Sequence, residues 1–285
     1  MNPPCPLCGA ADSRPFDTRT FRGRTIHNRI CATCGLVYQS PRMSEAELAD
    51  FYAAEYRRMY QGDEGPSSKD LRTQEGRATA LLEFVADSVP EVSRHLDIGC
   101  SAGLLLERFR DRYACQPRGV EPGDAYRAYA RSRGLTVYPA LDDLTAAAEP
   151  PFDLISMAHV LEHLPDPVHY LAALRERHLT PGGYLLIEVP NLYCHDSFEV
   201  AHLVSFSAHT LRQTLEQAGF RVLRLQKHGR PRSAILPLYL TVLAQPSQSS
   251  TFNLQPETFV PLKRRAGMFC RRVAQKLFPG KAWLS

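Results

Sequence analysis

The sequence has no apolar run long enough to cross a membrane. Its longest nearly unbroken one, Ala234 to Ala244, is interrupted by Pro237 and reaches about half of the roughly 20 residues a spanning helix requires. Met1-Asn2-Pro3-Pro4-Cys5 has neither a basic n-region nor an apolar h-region, so no secretory leader and no export are expected. The composition also excludes disorder, because 44% apolar and 22% charged residues are ordinary for a globular protein. Acid is missing beyond Glu257, where seven cations follow: Lys263, Arg264, Arg265, Arg271, Arg272, Lys276 and Lys281. Without those seven the net charge of +4 turns slightly negative. The basic character is therefore local, which argues against a globally basic nucleic-acid binder. No internal repeat is present. At 285 residues, and roughly 150 per domain, one large domain with a small accessory piece is expected.

Cysteine is present in quantity, eight in all, but its spacing is not that of a disulfide framework. Cys5-x-x-Cys8 and Cys31-x-x-Cys34 form two pairs, each followed by a glycine, Gly9 and Gly35. Two such knuckles supply four thiolates that can close a tetrahedron around a structural Zn²⁺, and each glycine permits the tight turn that aims backbone N–H groups at sulfur. The segments Phe16 to Thr20 and Thr25 to Ile30 between them are expected as two short strands of a zinc ribbon. Cys100, Cys115, Cys194 and Cys270 are scattered and are expected as small buried apolar residues. A reducing, cytoplasmic setting follows.

After the knuckles, Leu36 to Tyr38 is expected as a strand ended by Pro41, and Ser44-x-x-Glu47 caps a helix. Residues 62–69 are a polar linker, and Leu71 to Val89 carries apolar residues at helical spacing as far as Pro90. Strands and helices then alternate: strand His95–Ile98, helix Leu104–Arg110, strand Arg118–Glu121, helix Ala125–Ser132, strand Leu135–Tyr138, strand Phe152–Met157, helix 168–177, strand Gly183–Val189 and helix Ala208–Ala218. Arg221 to Gln226 and Leu236 to Leu243 complete the series. Such alternation predicts a doubly wound, mostly parallel sheet with helices on both faces.

The first of these strands runs into Asp97-Ile98-Gly99-Cys100-Ser101-Ala102-Gly103. Ligands of doubly wound sheets bind at the carboxyl ends of strands, and Gly99 and Gly103 let the backbone approach one closely. The loop lacks the G-x-G-x-x-G of a dinucleotide site and carries an acid, Asp97, that suits a cationic amino group. Glu121, 24 residues later at the end of the next strand, can accept hydrogen bonds from both ribose hydroxyls of a nucleoside.

These residues resemble the class I S-adenosylmethionine-dependent methyltransferases, over about residues 93 to 245. His95 to Gly103 is similar to their first motif, with Ser101 where a middle glycine is usual, and Gly119-Val-Glu-Pro122 to their ribose-binding strand end. Phe152 to His163 resembles the fourth motif, Leu179 to Glu188 the entry to the fifth strand, and Ala218-Gly-Phe220 the approach to the sixth. The cysteine module leading into Gly35 to Arg42 resembles that of sugar C-methyltransferases acting on nucleotide-linked deoxysugars. The resemblance implies an α/β fold: a Rossmann-like, seven-stranded, mostly parallel sheet with helices on both faces, a small N-terminal zinc ribbon and a C-terminal basic helix. It divides the chain into a zinc-ribbon-like module (1–42), a helical lead-in (43–92), a methyltransferase domain (93–245) and a linker with a basic amphipathic tail (246–285).

The resemblance further implies that S-adenosyl-L-methionine is the cofactor, with Gly99, Ser101 and Gly103 along its methionine portion and Glu121 on its ribose. Asp142 is the candidate for the adenine, and Met157 to His159 would lie beside the sulfonium. Ala201-His202 through Phe206-Ser207 matches a stretch in which the sugar C-methyltransferases carry Glu-His, so His202 is the candidate general base and the glutamate has become Ala201. His159, His163 and His195 are further candidates. The implied acceptor is a small molecule, a sugar or a glycan precursor, methylated on carbon or oxygen. The alternatives left open are a catalytically silent nucleoside-binding module and a nucleic-acid methyltransferase, though nucleic acid is not the expected partner.

Gly99-Cys100-Ser101-Ala102-Gly103 also spells G-x-S-x-G, the nucleophile elbow of α/β-hydrolases. A hydrolase needs several strands before its elbow, and here only a helix and the cysteine module precede the first strand. In the tail, Leu262, Ala266, Phe269, Val273 and Leu277 form one apolar face of a helix with cations opposite. That stripe is expected to dock on the body or to pair in a homodimer, with contact to a membrane surface as the other option.

Overall fold

The computed structural model describes residues 3–43, 47, 65–247 and 253–284; the helix expected after Ser44 lies outside them. The cysteine-rich segment carries β1 (Ser13–Phe21), β2 (Arg24–Cys31) and β3 (Val37–Gln39). Next come α1 (Ser68–Val85), β4 (Arg94–Ile98), α2 (Leu104–Tyr113), β5 (Gln116–Val120), α3 (Asp124–Ser132), β6 (Thr136–Tyr138) and α4 (Leu141–Ala146). They are followed by β7 (Phe152–Ala158), a 3₁₀ turn (Leu161–His163), α5 (Pro167–Arg177) and β8 (Leu179–Pro190). The last elements are β9 (Val204–Ser205), α6 (Ala208–Gln217), β10 (Phe220–His228), β11 (Tyr239–Pro246), α7 (Val260–Leu277) and α8 (Pro279–Ala282).

The large sheet has seven strands in the order β10-β11-β8-β7-β4-β5-β6, so the expected α/β fold with a mostly parallel sheet is the one found. β4 pairs in parallel with β5 and β7, β5 in parallel with β6, and β10 antiparallel with β11. Leu96 and Ile98 in β4, with Phe152, Leu154, Ile155 and Met157 in β7, are all buried, the near-continuous apolar run of strands covered on both faces.

Two compact units emerge: Met1–Arg42 with His159–Glu176 and Ile187–Ser285, and Met43–Ala158 with Arg177–Leu186. β1 and β2 form a hairpin across Arg22-Gly23, both at positive φ as a two-residue type I′ turn requires, and β3 then adds antiparallel to β2. The exposed edge of β3 is closed by β9, through Val37↔Ser205 and Tyr38↔Val204. An unpaired strand edge is unstable in isolation, so the small sheet is completed from residues more than 160 positions away.

Several element ends differ from expectation for local reasons. α1 starts at Ser68 because Ser67 and Asp70 form a reciprocal capping box, Ser67 Oγ accepting from Asp70 N and Asp70 Oδ2 accepting from Ser67 N. It ends at Val85 rather than Val89. β9, α4 and α8 were not anticipated, being too short to show a period. Cys270 is exposed, against the burial expected of it, whereas Cys100, Cys115 and Cys194 are buried.

The basic tail corrects its expectation most clearly. α7 does not dock through its apolar stripe: Leu262, Phe269 and Leu277 are exposed, and the buried face is Val260 and Arg264. Arg264 donates to the carbonyls of Leu192 and His195, and Arg271 to that of Cys194. Those loop carbonyls need donors, and two arginines supply them better than leucines can.

In the Met43–Ala158 unit, Phe109 of α2 is fully buried, its ring 4.6 Å from that of His95 and 5.8 Å from that of Tyr113. Phe109→Ala should therefore cost about 3–5 kcal/mol. Urea unfolding followed by circular dichroism should show an earlier transition; a midpoint equal to that of the wild type would mean that this ring does not hold α2.

Candidate functional site

The four cysteines of the knuckles meet in one cluster whose sulfurs lie within 4.8 Å of one another. Cys5 Sγ is 3.5 Å from Cys34 Sγ, and Cys8 Sγ 3.5 Å from Cys31 Sγ. Those spacings are far beyond a disulfide bond and close to the edge of about 3.8 Å that a tetrahedron with Zn–S bonds near 2.3 Å would have. Gly9 and Gly35 take φ of +71° and +80°, and their N–H groups donate to the carbonyls of Cys5 and Cys31, closing the two turns. Hydrogen bonds from the Cys34 and Cys5 thiols hold the Cys31 thiol well below its ordinary range. The geometry suits a tetrahedral, thiophilic cation.

A second cluster forms at the carboxyl ends of the parallel strands. Gly99 and Cys100 donate to Val120 O, which turns the loop after β4 back over the end of β5. Gly99, Ser101 and Gly103 all have positive φ, +72°, +51° and +82°. Glu121 is 3% exposed and held by two backbone donors, Ser101 N at 2.9 Å and Gly123 N at 2.6 Å. Ala102 N donates to Gln74 of α1, which braces the loop from the other side.

Asp97 is also 3% exposed. It is oriented by a chain of hydrogen bonds. Ser156 Oγ donates to Asp97 Oδ1 at 2.6 Å, so it accepts in turn from His95 Nε2 at 2.8 Å. Burial holds His95 neutral, down at about 3. Burial also pushes the Asp97 carboxyl up to about 7, with repulsion from Glu121 adding and the Ser156 hydrogen bond opposing. The site thus has an acceptor whose charged form awaits a cation. Met157, fully buried, stands in register with Ile98 on the neighbouring strand. Asp142 lies in the first turn of α4 and is exposed; it is the next residue, Asp143, that accepts the Ala140 N–H.

A third cluster lies wholly within the other unit. His159, the residue after β7, is held at φ +58°, a conformation costly for a residue with a Cβ and often found at functional sites. A carboxylate faces each of its ring nitrogens: Glu162 Oε1 at 3.4 Å from Nδ1, and Glu188 Oε1 at 3.2 Å from Nε2. The arrangement is complementary to an imidazolium. Glu188 Oε2 accepts from Thr241 Oγ1 and lies 3.2 Å from His228 Nε2. The ring of Tyr239 is in contact with those of His159, His195 and His228.

His202 and His163 complete this cluster. His202 Nδ1 donates to Ser197 O at 2.7 Å, and His163 Nδ1 to Ala201 O at 3.0 Å, since a carbonyl can only accept. Each ring therefore carries its lone pair on Nε2. Glu162, His163 and His202 each bring one possible ligand atom, a carboxylate oxygen or a ring nitrogen, within 4.8 Å of one another. Burial drives the His163 imidazole down to about 4 and His195 down to about 3, so both are neutral at pH 7. Burial is the largest influence on Glu162 and opposes its charged form, but the His159, His163 and His202 rings together outweigh it, so the carboxyl is held below its usual range.

Asp97, Gly99, Ser101, Gly103, Glu121 and Met157 lie at or beside the carboxyl ends of the parallel strands. Glu162, Glu188 and His228 went unnoticed. Glu162 brings a carboxylate within 4.8 Å of a His202 ring nitrogen from a segment 40 residues away, a juxtaposition no spacing signals. His95 and Ser156 were read only as strand residues; a polar side chain in an apolar strand was the signal available.

Residues 71–225 match the model of a family described as a methyltransferase domain. The chain is 32% identical over 118 residues to the ubiquinone biosynthesis O-methyltransferase of Xylella fastidiosa (strain 9a5c), which is 39% of this chain and 47% of that protein. It is 29% identical over 147 residues to the dTDP-4-amino-2,3,4,6-tetradeoxy-D-glucose N,N-dimethyltransferase of Saccharopolyspora spinosa, 50% of this chain and 57% of that one. The chain spans about half the length of these curated relatives. Among solved structures, the 1,6-didemethyltoxoflavin-N1-methyltransferase of Burkholderia thailandensis, determined with 1,6-didemethyltoxoflavin and S-adenosylhomocysteine, shares the fold with a TM-score of 0.57 at 19% identity, covering 84% of this chain and 100% of that one. The family match extends over more than half of the sequence, and the chain belongs to the methyltransferase-domain family, with the Rossmann-like fold of its class I members.

Proposed function

We propose that this chain is an S-adenosyl-L-methionine-dependent methyltransferase whose acceptor is a small molecule, with a sugar or glycan precursor as the class to try first. The observation that carries the reading is the pair of buried carboxylates, Asp97 and Glu121, on adjacent parallel strand ends around a loop of positive-φ residues. Bound there, the cofactor supplies a sulfonium methyl for in-line displacement. Asp97 takes its ammonium group, Glu121 its ribose hydroxyls, and Gly99, Ser101 and Gly103 line its methionine portion. Asp142, with Met157 and His159, is assigned the adenine and sulfonium ends. Similarity to one O-methyltransferase and one sugar N,N-dimethyltransferase supports a small acceptor rather than nucleic acid.

His202 is the base in this reading. Its Nδ1–H is fixed on Ser197 O, which leaves the Nε2 lone pair to accept the acceptor's proton, and Glu162 supplies the buried negative charge that stabilises the ring once protonated. Methyl transfer itself needs alignment more than acid–base help: alignment can supply about 7–11 kcal/mol and a base roughly 10²–10⁴ in rate. The four-cysteine cluster holds one structural Zn²⁺ that secures the β1–β3 sheet. All eight cysteines are unbridged, in keeping with a reducing, cytoplasmic setting.

Calorimetric titration with S-adenosylhomocysteine tests the cofactor site. Micromolar binding is expected, with Glu121→Ala reducing it at least tenfold. Because the free Asp97 carboxyl sits at about 7 and the ligand's ammonium favours the carboxylate, binding below pH 7 must release a proton. Affinity should therefore fall by up to about tenfold per pH unit as pH is lowered from 7, and Asp97→Asn should abolish that slope. Absence of binding by the zinc-loaded protein would overturn the assignment.

Elemental analysis should find one zinc per chain in the wild type and none in Cys34→Ser, with the variant melting at lower temperature. A metal-free wild type of equal stability would remove zinc from the reading. Once an acceptor is in hand, His202→Gln should lower kcat by about 10²–10⁴ while leaving S-adenosylhomocysteine affinity unchanged. Unaltered kcat would exclude His202 as the base.

A further inference from the structure

Helix α7 is fastened to its own unit in an unusual sense, polar side in and apolar side out. Its inward face consists of Val260, Arg264, Gly267 and Arg271. A Cβ on Gly267 would lie 1.9 Å from Tyr193 O, so the backbones are in close contact there. Arg264 is 8% exposed, with its guanidinium 4.5 Å over the Phe198 ring and its donors on two carbonyls and Asp196. Two of the seven cations are thus consumed in docking the helix.

The apolar stripe is left over. Leu262, Phe269 and Leu277 are 64%, 60% and 62% exposed, and Phe259 just ahead of the helix is 73% exposed. At 100° per residue, Leu262, Ala266, Phe269, Val273 and Leu277 fall within an arc of about 80°. Eight of the ten exposed large apolar side chains among the described residues lie between Phe259 and Leu284, Trp283 included. Scattered surface leucines need no explanation, but a concentrated stripe does. A helix whose only task was to pack would have turned this face inward.

The charges on either side of the stripe identify what covers it. Arg265, Arg272 and Lys276 run along one flank, exposed, and Lys263 along the other. No acid follows Glu257 in the sequence. A second copy pairing through this stripe would set cations against cations with no acid of the helix to offset them, at a cost that grows as the interface dries. Nucleic acid would match the charge but offers nothing apolar to Phe269 or Leu277. An anionic bilayer surface offers both, phosphates at the level of the cations and hydrocarbon at the level of the stripe. Among the described residues no helix is long and apolar enough to cross a membrane, so α7 would lie in the interface plane.

We infer that the outward face of α7 is a membrane-docking surface for anionic phospholipid, which goes beyond the methyl-transfer reading and does not rest on it. Trp283, the single tryptophan, is 40% exposed and serves as the reporter. The test is sedimentation of the full chain with vesicles of phosphatidylcholine alone or mixed with phosphatidylglycerol. The wild type should bind the mixed vesicles, with blue-shifted tryptophan emission, and lose binding as salt is raised. The double variant Phe269→Asp, Leu277→Asp should bind roughly tenfold more weakly or less, and Arg272→Gln, Lys276→Gln should do the same with the stripe intact. The charge variant keeps the test decisive should the aspartate variant fold poorly. Equal binding by wild type and the charge variant, equal binding to neutral vesicles, or no binding at all would overturn the proposal. So would a dimer, seen by light scattering, that the aspartate variant dissociates while vesicle binding is absent, for it would give the stripe to a second copy.

Discussion

Burying a carboxylate is expensive unless donors or cations meet it, and four carboxylates among the described residues are 3% exposed or less: Asp97, Glu121, Glu162 and Glu188. Much of the local architecture answers that requirement. Glu121 is met by two backbone N–H groups, which forces the loop after β4 to fold back and puts Ser101 at positive φ. Asp97 is met by a single hydroxyl, itself supplied by a neutral histidine, and keeps part of its acceptor capacity unspent. A buried carboxylate met by so few donors favours a cationic ligand.

In the other unit the same requirement is met by imidazoles. Glu162 and Glu188 flank His159, and Thr241 and His228 attend the remaining oxygen of Glu188. The positive φ of His159 is the backbone cost of putting that ring between two acids. Around it, His163 and His202 are oriented by Nδ1 hydrogen bonds to the carbonyls of Ala201 and Ser197.

Polar requirements also decide which way α7 faces. The loop that follows β8 leaves the carbonyls of Leu192, Cys194 and His195 in need of donors, and Arg264 and Arg271 provide them. An amphipathic pattern alone predicts the apolar stripe inward, because pattern reading assumes that burial of carbon dominates. Here hydrogen bonds to buried carbonyls outweigh it locally, and the stripe is left to face outward.

Local chemistry is what the sequence determined unaided. The alternation of strands and helices, the knuckles Cys5-x-x-Cys8 and Cys31-x-x-Cys34, and the acids Asp97 and Glu121 at successive strand ends all depend on spacings of a few residues, set by helix and strand periods and by turn geometry. The class of fold was therefore legible in the sequence alone. Long-range pairing was not. That β9 closes the edge of β3, that Glu162 stands beside His202, and that Arg264 rather than Leu262 faces inward depend on which chain segments meet after folding. Contacts between residues 40 or 160 positions apart leave no periodic trace in a single sequence, because loop closure costs only slowly more with length and so imposes no spacing. Tertiary structure alone decides them.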